Sequence, residues 1–427
     1  MGILDNIHFV LYSKIERKNE MIDNYNKYAN LLLSKCLNIK EGEPLLIQAP
    51  IENIDFVRIV AKRAYELGVN DIYFDFDDDI LKHDQLLSLD VESLKKSRFW
   101  NKKIFDEYAN KGAAFLMLYG DNPDLTNDID PIKVGEVAKV NRLSRPIYKA
   151  KQSINEVSWC IASVATEAWA RKIFPNSINP KSELWNKIFE MCLINSENPL
   201  IEWDKKVAIN SKRCELLNNN VFKELHYTNS LGTDLLIKLS DDAIWCGGDE
   251  ETVDGRKVIM NMPTEEVFTT PIMTGTSGVV YSSKPLVYSG ALIENFMLKF
   301  EDGKVVGFEA EKGYEVLKSI IEGDEHSCML GEVALVDYNS PISNSGLIFY
   351  ETLFDENASC HLAFGNGFPT CIKNTSGKSR EDLIKMGINQ SSVHVDFMIG
   401  TKDLTIKGIN KDNEEVLIFD NGNFILR

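Results

Sequence analysis

PLLIQAPIENIDFVRIVAKRAYELGVNDIYFDF, Pro44 to Phe76, decides the class of the N-terminal half. Pro44 to Gln48 is a short apolar run ending at Ala49-Pro50, the length and composition of a buried strand. From Asn53 to Leu67 the apolar residues Phe56, Ile59, Val60 and Ala64 recur at helical spacing, and the run stops at Gly68. Asp71 to Phe76 then alternates as a second strand. Strands separated by helical segments belong to a parallel sheet covered on both faces, because a parallel neighbour is reached only through a crossover.

The alternation continues outward. Helical stretches follow from Ile80 to Phe105, Gly112 to Tyr119 is a buried apolar strand, and Pro131 to Gln152 predicts a helix. Glu156 to Ala165 predicts a further strand and Glu167 to Phe174 a helix. Ser182 to Leu217 is largely helical, with a break at Asn198-Pro199. From Phe222 onward the pattern changes to short strand-type runs punctuated by turns such as Asp302-Gly303 and Asp420-Asn421-Gly422, with one helix from Gly313 to Glu322. The fold expected is an α/β N-terminal domain with a mainly parallel sheet, plus an α+β C-terminal domain with mostly antiparallel strands. Residues 1–20 are expected as an N-terminal extension, 21–205 as the α/β domain and 206–427 as the domain carrying the site.

Composition narrows the function. The 427 residues carry a net charge of −17, from 47 basic against 64 acidic side chains, which argues against binding nucleic-acid phosphates or an anionic membrane surface. No apolar run approaches the roughly 20 residues of a membrane span. The eight cysteines are scattered without a C-x-x-C pair, and Met1 to Glu20 lacks the order of a signal peptide, so reduced thiols and a cytoplasmic location are expected. Nucleotide signals fail: no G-x-G-x-x-G follows the first strand, and Ile372 stands where the glycine of a phosphate loop ending at Gly377-Lys378-Ser379 is required. The basic run Lys95, Lys96, Arg98, Lys102, Lys103 is broken by Phe99 and Trp100 and fits a solvated helix face.

The chemistry concentrates between Gly331 and Asp396. His394 and Asp396, two apart in an alternating run, share one face of a strand, with Val393, Val395 and Phe397 on the other. Glu356 and His361 are five apart, a spacing that suits a loop or bulged strand. Glu332 lies among Leu330, Val333, Ala334 and Leu335, where a carboxylate is costly unless a charged partner or a metal compensates it. Ordinary ion pairs explain each of these residues singly; together with Glu265 and Glu266 they suggest a carboxylate–imidazole metal centre. Cys360 beside His361 is expected to pack behind the site, and Gly275-Thr276-Ser277-Gly278, which lacks a nucleophile-elbow pattern, is expected as a turn near it.

The segments Met262 to Phe268 (MPTEEVF), Leu330 to Val336 (LGEVALV), Leu353 to Ala358 (LFDENA) and His394-Val395-Asp396 resemble the signature blocks of the thermophilic-type metallo-aminopeptidases, the family of aminopeptidase T and aminopeptidase S. The resemblance extends from about Met21 to the end. It implies metal ligands at Glu266, Glu332, Glu356, His361, His394 and Asp396, and two divalent metal ions, for which zinc, cobalt, manganese or magnesium are all admissible with N and O donors. Four carboxylates against two divalent cations make such a site neutral. The implied reaction is release of N-terminal amino acids by a water that two metals activate; Glu332 is the candidate to bridge them, and Glu265, adjacent to Glu266, is the candidate general base if the chain bends there. The implied partners are peptides with a free N-terminus and a second copy in a homodimer. One position departs: Phe368 stands where the family has a tyrosine, so an oxyanion donor is missing unless Tyr338 or Tyr350 supplies it. The alternative is a catalytically weakened or inactive metal- or peptide-binding homologue.

Overall fold

The strand Leu45–Pro50 lies inside a five-stranded sheet in a computed structural model that describes residues 19–96, 99–142, 144–288 and 291–427. Its neighbours are Ile72–Asp77 on one side and Ala114–Tyr119 on the other, followed by Trp159–Ser163, all parallel. Alternation sends Leu45, Ile47 and Ala49 to one face, packed with Phe56, Val57, Val60 and Ala64 of the helix Ile54–Glu66. Leu46 goes to the other face, against Phe105, Tyr108 and Tyr148. Both faces are covered, so the strand is apolar apart from Gln48.

The fifth strand is Asn261–Met262, which pairs parallel to Trp159–Ser163 although it comes from the far half of the sequence. The chain therefore leaves the edge of the parallel sheet and enters the site segment within a few residues. The rest of the chain builds a nine-stranded sheet, whose strands Phe222–Thr228 and Asp234–Lys238 precede that edge strand, and a four-stranded antiparallel sheet of order 267–269, 330–335, 361–365 and 394–398. One apolar cluster joins them, with Leu225, Tyr227, Phe296 and Leu298 packed with Val333, Leu362, Phe364 and Phe397. Among the described residues, no helix is long and apolar enough to cross a membrane.

Three expectations change. Pro131 to Gln152 is two helices, Pro131–Arg142 and Pro146–Ser153, because proline cannot donate to the preceding turn and Arg145 adopts a left-handed φ of 61°. Glu356 is on neither a loop nor a bulged strand: it ends the short helix Thr352–Glu356. Gly275 to Gly278 runs into the strand Thr276–Tyr281 of the nine-stranded sheet and does not line the site cavity. The break before Pro199 is where the sequence places it, with Asn198 capping the helix Pro199–Asn220. Residues 1–18 and Arg98 lie outside the described residues.

Candidate metal centre

The four-stranded sheet is two-faced. Val333, Leu335, Leu362, Phe364, Val395 and Phe397 enter the apolar cluster. The intervening positions form the opposite face, where the register sets Glu332 beside Ala363 and Ala363 beside Asp396, and pairs Gly365 with His394. Ala334, Ala363 and Gly365 are small, which leaves room between the longer side chains. Close approach also explains Gly331: a Cβ there would lie 2.3 Å from the Gly365 carbonyl and 2.4 Å from that of Asn366. Any side chain at 331 would push apart the strands carrying Glu332 and His361.

Two triads of potential ligand atoms result, each with its atoms within 4.8 Å of one another: Glu266, Glu332 and His361, and Glu332, His394 and Asp396. Glu332 belongs to both. His361 Nε2 is 3.0 Å from Glu266 Oε2, and His394 Nε2 is 3.0 Å from Glu332 Oε2 and 3.3 Å from Asp396 Oδ1. Yet Glu266 Oε2 and Asp396 Oδ1 are buried without a hydrogen bond. The atoms are close but not aligned as donor and acceptor, and buried orphan oxygens of this kind require a partner. A cation between them satisfies that requirement, so these residues fit a metal.

The rings are oriented from behind. His361 Nδ1 is 3.2 Å from the Ser359 carbonyl and His394 Nδ1 is 2.8 Å from that of Asn366. A carbonyl only accepts, so each Nδ1 carries the hydrogen and Nε2 turns toward the carboxylates. The Asn366 amide in turn donates to the Val393 carbonyl at 2.7 Å. Asp324 holds the approach to His394 by accepting from Ser392 N at 2.7 Å and from the hydroxyls of Ser391 and Ser392. Glu356 joins through Asn357, whose Nδ2 is 3.4 Å from Glu356 Oε1 and whose Oδ1 accepts from Glu265 N at 2.6 Å.

Electrostatics record the crowding. Burial lifts Glu332 to about 7, although His394 opposes it. Burial, then the charges of Asp396, Glu266 and Glu332, hold Glu356 well above the usual carboxylate range. Burial works against charge on His361, but Glu266 outweighs it and raises the imidazole to about 9. His394 is likewise held well above its ordinary value, by Asp396 and Glu332 against burial. Asp396 is lowered, with the histidines outweighing its burial.

The six residues line a cavity of about 820 Å³ that reaches from the antiparallel sheet to Tyr119, Trp159 and Ile161 of the parallel sheet. Phe368 lines it too, its ring 4.9 Å from His394 and 5.5 Å from Phe268. Neither Tyr338 nor Tyr350 is in the wall; the Tyr350 ring lies under Lys172 at 5.2 Å. Glu265 differs from expectation: its carboxylate pairs with Lys206 and lies outside the cavity wall. Adjacent side chains on an extended segment diverge, so Glu266 faces the site and Glu265 the helix behind it. Cys360 is buried, its thiol against the Val336 backbone and pushed up to about 12 by burial, which leaves little thiolate. Sequence reasoning missed Glu250 and Glu351, which also line the cavity. No spacing ties them to the carboxylates and imidazoles of the two triads.

The sequence pattern of the thermophilic metalloproteases (M29) matches residues 21–424. The chain is 39% identical to "Aminopeptidase 2" of Geobacillus stearothermophilus over 93% of its length and 97% of that protein. It is 40% identical to "Aminopeptidase AmpS" of Bacillus subtilis, over 93% and 98%. The structure of wild-type AmpT from Thermus thermophilus superposes with a TM-score of 0.87 at 34% identity, covering 94% of this chain and 99% of that one.

Proposed function

This chain belongs to the thermophilic metalloprotease family M29, a family of hydrolases, and from that premise we propose that it is a metallo-aminopeptidase holding two divalent ions. Glu266, Glu332, Glu356, His361, His394 and Asp396 would be the ligands. The observation that carries this reading is the pair of triads that meet at Glu332, a carboxylate in place to serve both ions. The donors are nitrogen and oxygen only, which suits zinc, cobalt, manganese or magnesium. Bound ions would supply Lewis-acid polarisation of the peptide carbonyl and a lowered pKa for water.

The chain's own residues supply the rest. The Ser359 and Asn366 carbonyls fix the imidazoles, and Phe268 and Phe368 give the cavity an apolar wall. Because Glu265 faces Lys206, its role becomes anchoring the segment that carries Glu266. Accepting the water's proton then falls to a carboxylate that lines the cavity. Substrates are peptides with a free N-terminus, and the protein acts as a cytoplasmic homodimer. The second reading, a homologue with weakened catalysis, rests on Phe368: a phenyl ring beside His394 has no hydroxyl to offer a developing oxyanion.

Hydrolysis of aminoacyl-p-nitroanilides after loading with Zn²⁺ or Co²⁺, with and without chelator, tests the reading. Chelator-sensitive release is expected. Stoichiometric bound metal with no release would leave only the weakened homologue.

A further inference from the structure

Beyond the ligands, the cavity wall holds two carboxylates, Glu250 and Glu351, and one lysine, Lys149. In the loaded centre the four ligand carboxylates are balanced by two divalent ions, so Glu250 and Glu351 carry the surplus negative charge of the cavity. A substrate cation is the group such a surplus recognises. Resting on the aminopeptidase reading above, we propose that Glu351 receives the α-ammonium of the substrate and thereby restricts cleavage to free N-termini.

Position favours Glu351. It caps the helix Thr352–Glu356, with its side chain accepting from Phe354 N at 3.2 Å, so its carboxylate is fixed at one end of the helix whose other end is the ligand Glu356. Five helical residues span roughly 7 Å. The α-nitrogen of a substrate is two bonds from the carbonyl carbon that reacts, so its receptor must stand about this close to the ligands. Among the described residues Glu351 has no cationic partner, whereas Glu250 already accepts from Asn155 Nδ2 at 2.8 Å. Burial, with the charge of Asp355, pushes Glu351 up to about 8. Burial makes a charge on Glu351 costly, and an incoming ammonium offsets that cost.

The test uses the full chain loaded with zinc, as wild type, Glu351→Gln, Glu351→Asp and Glu250→Gln. Gln keeps the capping oxygen and removes the charge. Glu351→Gln is expected to raise KM about 10–100-fold for both leucine and arginine p-nitroanilide, the worth of one charge-assisted contact, with kcat and bound zinc little changed. Calorimetry should show the same loss for L-leucine, with N-acetyl-L-leucine bound equally weakly by both proteins. Glu351→Asp, which retains charge and cap, should recover part of the affinity. Four results would overturn the proposal: unchanged KM, a loss confined to the arginine substrate, Asp behaving as Gln, or the loss appearing in Glu250→Gln instead. If the wild type cleaves nothing, the aminopeptidase reading fails, and the leucine titration still judges Glu351.

Discussion

Stripping the metal and adding it back at pH 7 should release more than one proton per chain. The count follows from the metal-free cluster. His361, raised to about 9, holds a proton at pH 7, and His394 and Glu356, both held well above their ordinary values, keep their protons more tightly than free side chains do. Glu332, near 7, holds about half of one. A metal needs the lone pair on each, so all of these protons must leave. Protons and metals thus neutralise the same cluster in turn. Calorimetric titration with Zn²⁺ in buffers of different ionisation enthalpy measures the number as the slope of apparent enthalpy against buffer enthalpy. Overall affinity should rise with pH near neutrality and flatten as the pH passes the pKa values of the cluster. Release of one proton or fewer, or affinity independent of pH between 6 and 8, would refute this account of the cluster.

The metal-free protein should lose stability as pH rises from about 5 to about 9, read as a falling Tm. Glu332, Asp355, Glu351 and His361 all fold with raised values, so the native state binds more protons than the unfolded chain, and the stability they add at low pH disappears as each titrates. Saturating Zn²⁺ should weaken or reverse this trend. Glu265→Gln leaves the Lys206 ammonium without its partner and should cost about 2 kcal/mol in urea unfolding, with kcat falling less than about threefold; a loss of 10²-fold or more would restore Glu265 as the base. Phe368→Tyr should raise kcat by about 10²-fold, the worth of one oxyanion donor, at unchanged metal content. No change in kcat would dismiss the missing hydroxyl as a limit on rate.

Much of the fold was legible because burial writes its period into the chain. Leu45 to Ala49 feeds both covered faces of a parallel sheet, and the alternation through Val393 to Phe397 separates His394 and Asp396 from the core. Helix ends were less legible: Pro146 splits one apparent helix in two, and the periodicity on either side gave no sign of it.

The sequence by itself determined the donor types, the facing of His394 and Asp396, and the family, since each rests on local spacing or on blocks kept in order. Only the tertiary structure decided which carboxylates meet. Glu266 reaches His361 because the chain leaves the edge strand Asn261–Met262 directly into the site, and Glu332 enters both triads through its register with Ala363 and Asp396. Glu265, adjacent to Glu266, turns instead to Lys206, while Glu351, with no spacing to mark it, lines the cavity. The physical reason is common to all of these. Which acids converge depends on pairings between segments distant in the chain, and the energy of a buried charge is set by the partners those pairings supply.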